Sequence, residues 1–269
     1  LTYGGIYRDV WLYDKPAYFI KDVFVTTNTL DTVSISIQTD GLVPIDSYQV
    51  KILDSKGEII AQQAVSINTR QIQIPVKNIH AWTAESPTLY RCIVELGDDT
   101  FVTNFGFRTI RFDQNNLYIN DQKVFLRGLN RHQCYPYIGY AAVDSLQEED
   151  VRILKEELHV NAVRTSHYPQ SQSFIDACDR YGLYVFTEIP GWQHIGNQTW
   201  KQQAIRNTED MVLQYRNHPS IILWGVRINE SLDDDELYAK TNAVARALDP
   251  SRPTAGVRYL TKSHLLEDI

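Results

Sequence analysis

Glu230 closes the run Ile221-Ile222-Leu223-Trp224-Gly225-Val226-Arg227-Ile228-Asn229-Glu230, so a carboxyl group follows an apolar strand directly, with an amide beside it. At the rim of an apolar wall the charged form of a carboxyl loses solvation, its pKa rises, and it suits general-acid work. A second use is equally open. Glu230 could cap the next helix, whose acidic start Asp233-Asp234-Asp235-Glu236 complements the positive end of the helix dipole. Other polar groups also follow apolar stretches: Arg127-Gly128-Leu129-Asn130-Arg131-His132, Arg164-Thr165-Ser166-His167-Tyr168-Pro169, and Glu188. An arginine that ends a buried strand, as Arg164 does, is expected to pair with a carboxylate. His132 and His167 have three uses, as metal ligands, as donors to a substrate or as structural histidines, and the residues alone favour the last. His132, Cys134, His167, Cys178 and His194 contain no pair with a recognised ligand spacing, which argues against a metal cluster.

The elements that position these groups lie in the second half. After about Asn116, apolar stretches of four or five residues alternate with helical patterns, the mark of βα units on a parallel sheet. Strands are expected at Val124–Arg127, Val160–Arg164, Leu183–Glu188, Ile221–Trp224 and, more weakly, Thr254–Val257. Ser145 and Glu148 form a capping box ahead of Val151, Leu154 and Leu158. A second helix carries Phe174, Ala177, Cys178 and Tyr181 and stops at Gly182. A third runs from about Trp200 to Tyr215, and a fourth from about Glu236 to Leu248 before Asp249-Pro250. In a parallel barrel the residues beyond the strand C-termini converge on one mouth, where these polar groups would meet. A closed eight-unit barrel takes about 250 residues, so four βα units and the start of a fifth cannot close one here. The alternative, an open doubly wound sheet, lacks a glycine-rich phosphate turn after its first strand.

The first 110 or so residues follow a different period. Val33, Ile35 and Ile37 alternate with polar neighbours, as do Ile72, Ile74 and Val76, and Asp40-Gly41, Lys56-Gly57 and Gly97-Asp98 mark turns. About seven strands are expected, at 18–28, 32–39, 47–54, 58–67, 70–77, 89–96 and 101–112, the number of an immunoglobulin-like sandwich. The fold class read from the pattern is therefore multi-domain: an all-β immunoglobulin-like sandwich, then an α/β part, either the N-terminal part of a (β/α)8 TIM barrel or an open doubly wound sheet, and the resemblance below implies the barrel.

Composition limits the partners. With 26 basic and 33 acidic residues the formal charge is -7, with no basic block, so nucleic acid is not an expected ligand and a neutral or sugar-like one is. No apolar run approaches the roughly 20 residues of a membrane span, and the N-terminus lacks the layout of a signal peptide, so a soluble chain of undetermined compartment is expected. Three widely spaced cysteines indicate neither a disulfide framework nor a paired-cysteine zinc site.

Two long motifs carry a resemblance. Asn161-Ala162-Val163-Arg164-Thr165-Ser166-His167-Tyr168-Pro169, continuing through Phe174-Ile175 and Asp179 to Gly182-Leu183-Tyr184-Val185-Phe186, is similar to the first signature of glycoside hydrolase family 2, the β-galactosidase and β-glucuronidase group. Arg216-Asn217-His218-Pro219-Ser220-Ile221-Ile222-Leu223-Trp224-Gly225, ending in Asn229-Glu230, resembles its second. Gly4-Gly5-Ile6-Tyr7-Arg8-Asp9-Val10 resembles the end of that family's sugar-binding jelly roll. Trp82 through Leu89-Tyr90 resembles a late stretch of its immunoglobulin-like domain, Leu126-Arg127-Gly128 to His132 resembles barrel strand one, and Leu248-Asp249-Pro250-Ser251-Arg252-Pro253 the lead into barrel strand five. The resemblance divides the chain into the end of a jelly roll at 1–16, an immunoglobulin-like sandwich at 17–112 and a partial barrel at 113–269.

The resemblance implies a retaining glycosidase. Glu230 would be the acid/base and Asn229 would hold the sugar 2-hydroxyl. Arg164 would help position the nucleophile, and His132 and His167 would line the sugar pocket. The nucleophile of the family belongs to a late strand, beyond Ile269, so the chain by itself is expected to be inactive. Glu188 does not match its position. Trp192 is read as a stacking platform for a sugar ring or, equally, as a packed loop aromatic. Some β-galactosidases place a magnesium-binding carboxylate and histidine after strand three; here His194 is kept, but Trp192 stands where the carboxylate would fall, so no cofactor is expected. The wording Gly225-Val226-Arg227-Ile228-Asn229-Glu230 looks more like the β-galactosidase branch than the β-mannosidase branch; the alternatives are a β-glucuronidase of the same family or a non-catalytic carbohydrate-binding or scaffold segment. The expected partner is a carbohydrate, with neither nucleic acid nor membrane, and a homo-oligomer is open because a partial barrel leaves a bare sheet edge.

Overall fold

Alternating apolar and polar residues produce strands with one buried face, and the first half of the chain is built this way. The computed structural model describes residues 5–41, 46–113 and 116–269, which fall into two units. The first unit, residues 9–124 with 217–219, carries two antiparallel sheets of the sandwich. One is made of β1 (Tyr18–Thr29), β2 (Thr32–Gly41) and β5 (Gln71–Pro75), in the order β1-β2-β5. The other has β3 (Ser47–Leu53), β4 (Ile59–Ser66), β6 (Tyr90–Leu96) and β7 (Asp99–Phe105), in the order β4-β3-β6-β7. Val33 pairs with Ile74 and Ile35 with Ile72, so the inward faces of neighbouring strands coincide. Val33, Ile35, Val50, Ile52, Cys92 and Val94 are buried in one cluster. Each such aliphatic side chain contributes roughly 1.5–3 kcal/mol of transfer free energy.

One expected strand, 101–112, is broken in two. After β7 the chain leaves the sheet, and the Phe107 carbonyl accepts the Trp82 N–H. Strand pairing resumes as β8 (Ile110–Asp113), in a separate antiparallel sheet with β9 (Asn116–Ile119) and β10 (Gln122–Val124). Trp82 is fully buried, and its backbone bond to Phe107 competes with continued pairing along β7.

The second unit comprises residues 5–8, 125–216 and 220–269. Its parallel sheet runs β11 (Gly128–Arg131), β12 (Ala162–Thr165), β13 (Tyr184–Glu188), β14 (Ile221–Gly225) and β15 (Thr254–Ala255), in sequence order. Sequential parallel order with intervening helices is the opening part of a TIM barrel. The first strand lies four residues later than the expected Val124–Arg127. The Arg127 N–H is taken by the Asn161 side-chain carbonyl, Phe125 is exposed, and Gly128 opens the pairing opposite Ala162. Gly128–Arg131 is thus the strand itself rather than the loop after it, and His132 directly follows its C-terminus.

The helices are α1 (Asp144–Arg152), which continues into a π-helical turn at Ile153–Glu157, α2 (Gln172–Tyr181), α3 (Gln198–Tyr215) and α4 (Asp235–Leu248). The capping box is not formed: Ser145 lies inside α1, and the cap position is Val143, which lacks a side-chain acceptor. Leu158, expected on the buried face, is exposed because the π-turn rotates the helix face just before it. The other boundaries have their capping chemistry. Ser171 and Asn197 accept from backbone N–H groups at the starts of α2 and α3, and Gly182 ends α2 in the left-handed region at φ 78°. Asp234, not Glu230, caps α4 by accepting the Leu237 N–H at 3.0 Å, which removes the capping use of Glu230. Phe174, Ala177, Cys178, Ala204, Met211 and Tyr215 face the sheet in a single core with Val163, Val185 and Trp224. Among the described residues no helix is long and apolar enough to cross a membrane.

Candidate active site

Strand register brings the first polar pair together. Arg164 lies opposite Phe186 in the β12–β13 pairing, and Glu188 is two residues further along β13, so both side chains leave the sheet on one face. Arg164 donates from Nε to Glu188 Oε1 at 2.5 Å and from Nη2 to Oε2 at 3.0 Å, a bidentate fork. His167 Nδ1 is 3.2 Å from the same Oε2. The Glu188 side chain is only 3% exposed, so its charge is balanced by the Arg164 guanidinium rather than by water. The expectation that Arg164 pairs with a carboxylate is met, and the partner is Glu188.

Arg164 also reaches the end of the fourth strand. Its Nη2 donates to Asn229 Oδ1 at 2.6 Å, which fixes the orientation of that amide. The opposite end, Asn229 Nδ2, is buried and has no hydrogen-bond partner among the described residues. A buried donor without a partner costs about 1–3 kcal/mol. It is the kind of group that a ligand oxygen would satisfy.

Glu230 is set one residue further on, with its backbone at φ 53° in the left-handed region, an arrangement that costs a side-chain-bearing residue of order 1 kcal/mol or more. Its N–H bonds the Val257 carbonyl at 3.0 Å beyond β15. From the other side, the loop after β13 is zipped to it: Trp192 pairs with Asn229, and the Gln193 N–H bonds the Asn229 carbonyl at 2.8 Å. This approach needs Gly191. At φ 151°, a Cβ there would lie 2.7 Å from Ile228 Cδ1. Two side-chain donors follow: Trp192 Nε1 and Gln193 Nε2 both reach Glu230 Oε2 at 3.1 Å.

These bonds reverse one expectation. Hydrogen bonds from Trp192 and then Gln193, with smaller help from the charges of His167 and Arg164, outweigh desolvation and hold the Glu230 carboxyl below its ordinary pKa. The sequence placed it at an apolar rim that would raise it. The rim is instead furnished with N–H donors.

The two histidines lie together, with ring centroids 5.3 Å apart and planes at 83°. His132 also approaches Tyr168, at 6.0 Å. Burial, then the charges of His167 and Arg164, holds the His132 imidazole below its usual pKa and favours the neutral ring. Trp192 is 62% exposed, so its ring face is open while its N–H is engaged. Cys178 lies in the core under α2, away from these strand ends, and His194 packs edge-on to Trp200.

Arg164, His167, Glu188, Trp192, Asn229 and Glu230 thus form one connected set at and just beyond the C-terminal ends of the strands, with His132 against His167. Residues 110–269 match the family model described as "Glycosyl hydrolases family 2, TIM barrel domain", and residues 18–108 match "Glycosyl hydrolases family 2". The chain belongs to glycosyl hydrolases family 2. It is 44% identical over 291 residues to a β-galactosidase of Thermoanaerobacterium thermosulfurigenes, covering all of this chain and 40% of that protein. A β-galactosidase of Thermoanaerobacter pseudethanolicus is 45% identical, with all of this chain and 38% of that protein covered. The chain therefore spans about two fifths of the length of these curated relatives. Among solved structures, apo β-glucuronidase 3 of Bacteroides uniformis superposes with a TM-score of 0.82 at 31% identity, over 93% of this chain and 34% of that one. By their names, two of these proteins are β-galactosidases and the third is a β-glucuronidase.

Sequence reasoning missed Gln193. It sits in a loop with no periodicity, and only its place beside Trp192 in the turn after β13 could have drawn notice.

Proposed function

We propose that the polypeptide carrying this chain is a retaining β-glycoside hydrolase of the β-galactosidase type, with Glu230 as its acid/base. The carrying observation is the pairing, among the described residues, of two unmet needs: the buried Asn229 Nδ2 without a partner and, one residue on, a carboxylate whose Oε1 has no hydrogen bond. An amide donor beside an available carboxylate suits a sugar hydroxyl next to a glycosidic oxygen. Arg164 keeps the amide in that orientation and Glu188 keeps Arg164 in place. Trp192 offers an exposed ring face on which a sugar can stack. His132 and His167 border the same space.

In the first step Glu230 gives its proton to the departing oxygen as the anomeric C–O bond breaks, and a second carboxylate forms an ester with the anomeric carbon. In the second step Glu230 takes a proton from water as the water oxygen attacks that carbon and the ester is released. The reading puts the second carboxylate on a segment that the longer relatives have, because Glu188 is already committed to Arg164 and His167. Its negative charge, about 5–5.5 Å from Glu230, would lift the Glu230 pKa for the acid step. Once esterified it is neutral, and Glu230 returns to the low pKa suited to a base. By this reading the 269 residues alone do not turn over substrate, and need neither metal nor cofactor.

A β-glucuronidase is the second reading, favoured by the structural likeness to the Bacteroides uniformis enzyme. The two β-galactosidase relatives at 44% and 45% identity favour the first. Hydrolysis of nitrophenyl β-galactoside, glucuronide, mannoside and glucoside, by this chain and by a polypeptide of the relatives' length, separates them. Galactoside turnover by the longer protein alone is expected. Turnover by this chain would overturn the placement of the nucleophile, and preference for glucuronide would select the second reading.

A further inference from the structure

The two loops that meet at Glu230 do more than enclose it. Gln193 and Glu230 are both held in the left-handed region, at φ 59° and 53°, on segments joined by the Trp192–Asn229 pairing and the Gln193 N–H bond to the Asn229 carbonyl. Two consecutive side chains of one loop then converge on a single oxygen of the other. A carboxylate free to rotate about its terminal torsion would present either oxygen to a ligand. Here Oε2 takes both N–H groups and Oε1 takes none among the described residues. The two oxygens are therefore unequal before any ligand arrives.

We propose that Trp192 and Gln193 are positioning residues for Glu230: their N–H groups grip Oε2, fix the carboxylate plane and reserve Oε1 for proton exchange with the ligand. The role of Glu230 itself rests on the function proposed above; the grip does not. Neither donor can accept a hydrogen bond from a carboxylic acid through these atoms, since an indole N–H and an amide NH₂ only donate. While both N–H groups hold Oε2, the hydrogen of a protonated Glu230 must sit on Oε1. The clamp thus selects which oxygen carries the acid proton as well as favouring the ionised form. It also gives Trp192 two uses at once, because the edge of the indole binds the carboxylate while the exposed face stays available.

The test is a pH titration of the 269-residue chain, labelled with ¹³C at glutamate side-chain carboxyls and ¹⁵N at tryptophan indoles. Glu230 is assigned by the resonance lost in E230Q. The carboxyl should titrate below ordinary glutamates, and the Trp192 indole resonance should move with the same midpoint. W192F and Q193M keep bulk while removing the donor. Trp192 and Gln193 are exposed, so these changes should leave the core intact. Each should raise the Glu230 midpoint, and the double variant should raise it further. A loop that merely packed would change stability without moving that midpoint. Unchanged midpoints in both single variants, or an indole resonance indifferent to Glu230 ionisation, would overturn the clamp. If the midpoint shifts as expected but E230Q of the longer polypeptide keeps full activity, the clamp stands and the acid/base assignment falls.

Discussion

Removing the guanidinium of Arg164 should destabilise the barrel unit and leave the sandwich unit untouched. In R164L the Glu188 carboxylate, 3% exposed, keeps only His167, and the Asn229 amide loses its anchor. Breaking a buried pair by deleting one partner costs about 3–5 kcal/mol, because the other charge stays buried. Each 1.4 kcal/mol is a factor of ten in an equilibrium constant, so the open population of that unit should rise roughly a hundredfold to several-thousandfold. The chain carries its own reporters. Cys178 is fully buried in the barrel-unit core and Cys92 in the sandwich core, and burial pushes both thiols well above their ordinary pKa, Cys92 to about 12. Labelling by a thiol reagent in mild urea, resolved by mass spectrometry, follows the opening of each unit separately. Cys178 should label faster by that factor in R164L while Cys92 keeps its wild-type rate. The double variant R164L/E188L should recover much of the loss, since no charge is left stranded. Acceleration below tenfold, or additive costs in the double variant, would refute the claim that Arg164 and Glu188 form a coupled buried pair.

G225A should cost about 1–3 kcal/mol by overpacking, since a Cβ there would lie 2.6 Å from Glu188 Cγ and 2.8 Å from the Thr187 carbonyl; an unchanged urea midpoint would contradict this close approach. His264, whose Nδ1 lies 2.8 Å from an Asp235 carboxylate oxygen, should titrate above an ordinary histidine because that hydrogen bond favours the charged ring. The stability from this pair is therefore complete below the unfolded pKa and is lost as pH rises through the raised folded value. A histidine NMR titration of D235N should show the midpoint fall back.

The sandwich was legible because one-sided strands write their burial at period two: Val33, Ile35 and Ile37 could be placed inward before any coordinates. The break after Phe105 was not, because it depends on the backbone of Trp82, which is distant in sequence. In the barrel unit, three helices could be placed from their apolar faces and stop signals. The start of the first could not, since Ser145 satisfies the capping pattern while the cap position is Val143, two residues earlier. The shift of the first strand from Val124–Arg127 to Gly128–Arg131 has a similar origin. Apolar Phe125 and Leu126 look like a strand, but pairing is decided by Asn161 and Ala162, more than thirty residues away.

At the site, residue identities were legible and their electrostatics were not. Arg164 announced a carboxylate partner, because a buried arginine needs one, and register supplied Glu188. The lowered pKa of Glu230 could not be foreseen, since it comes from a loop that meets it only through the Trp192–Asn229 pairing.

The most direct test of the account is leaving-group dependence in E230Q of a polypeptide that spans the relatives' length. An acid catalyst matters most when the departing oxygen is a poor leaving group, and its loss costs typically about 10²- to 10⁴-fold. For alkyl β-galactosides, kcat/KM should fall by that order, while dinitrophenyl β-galactoside, whose oxygen departs without a proton, should keep most of its wild-type value. Equal losses on both substrates, or no loss on either, would contradict the assignment of Glu230 as the acid/base.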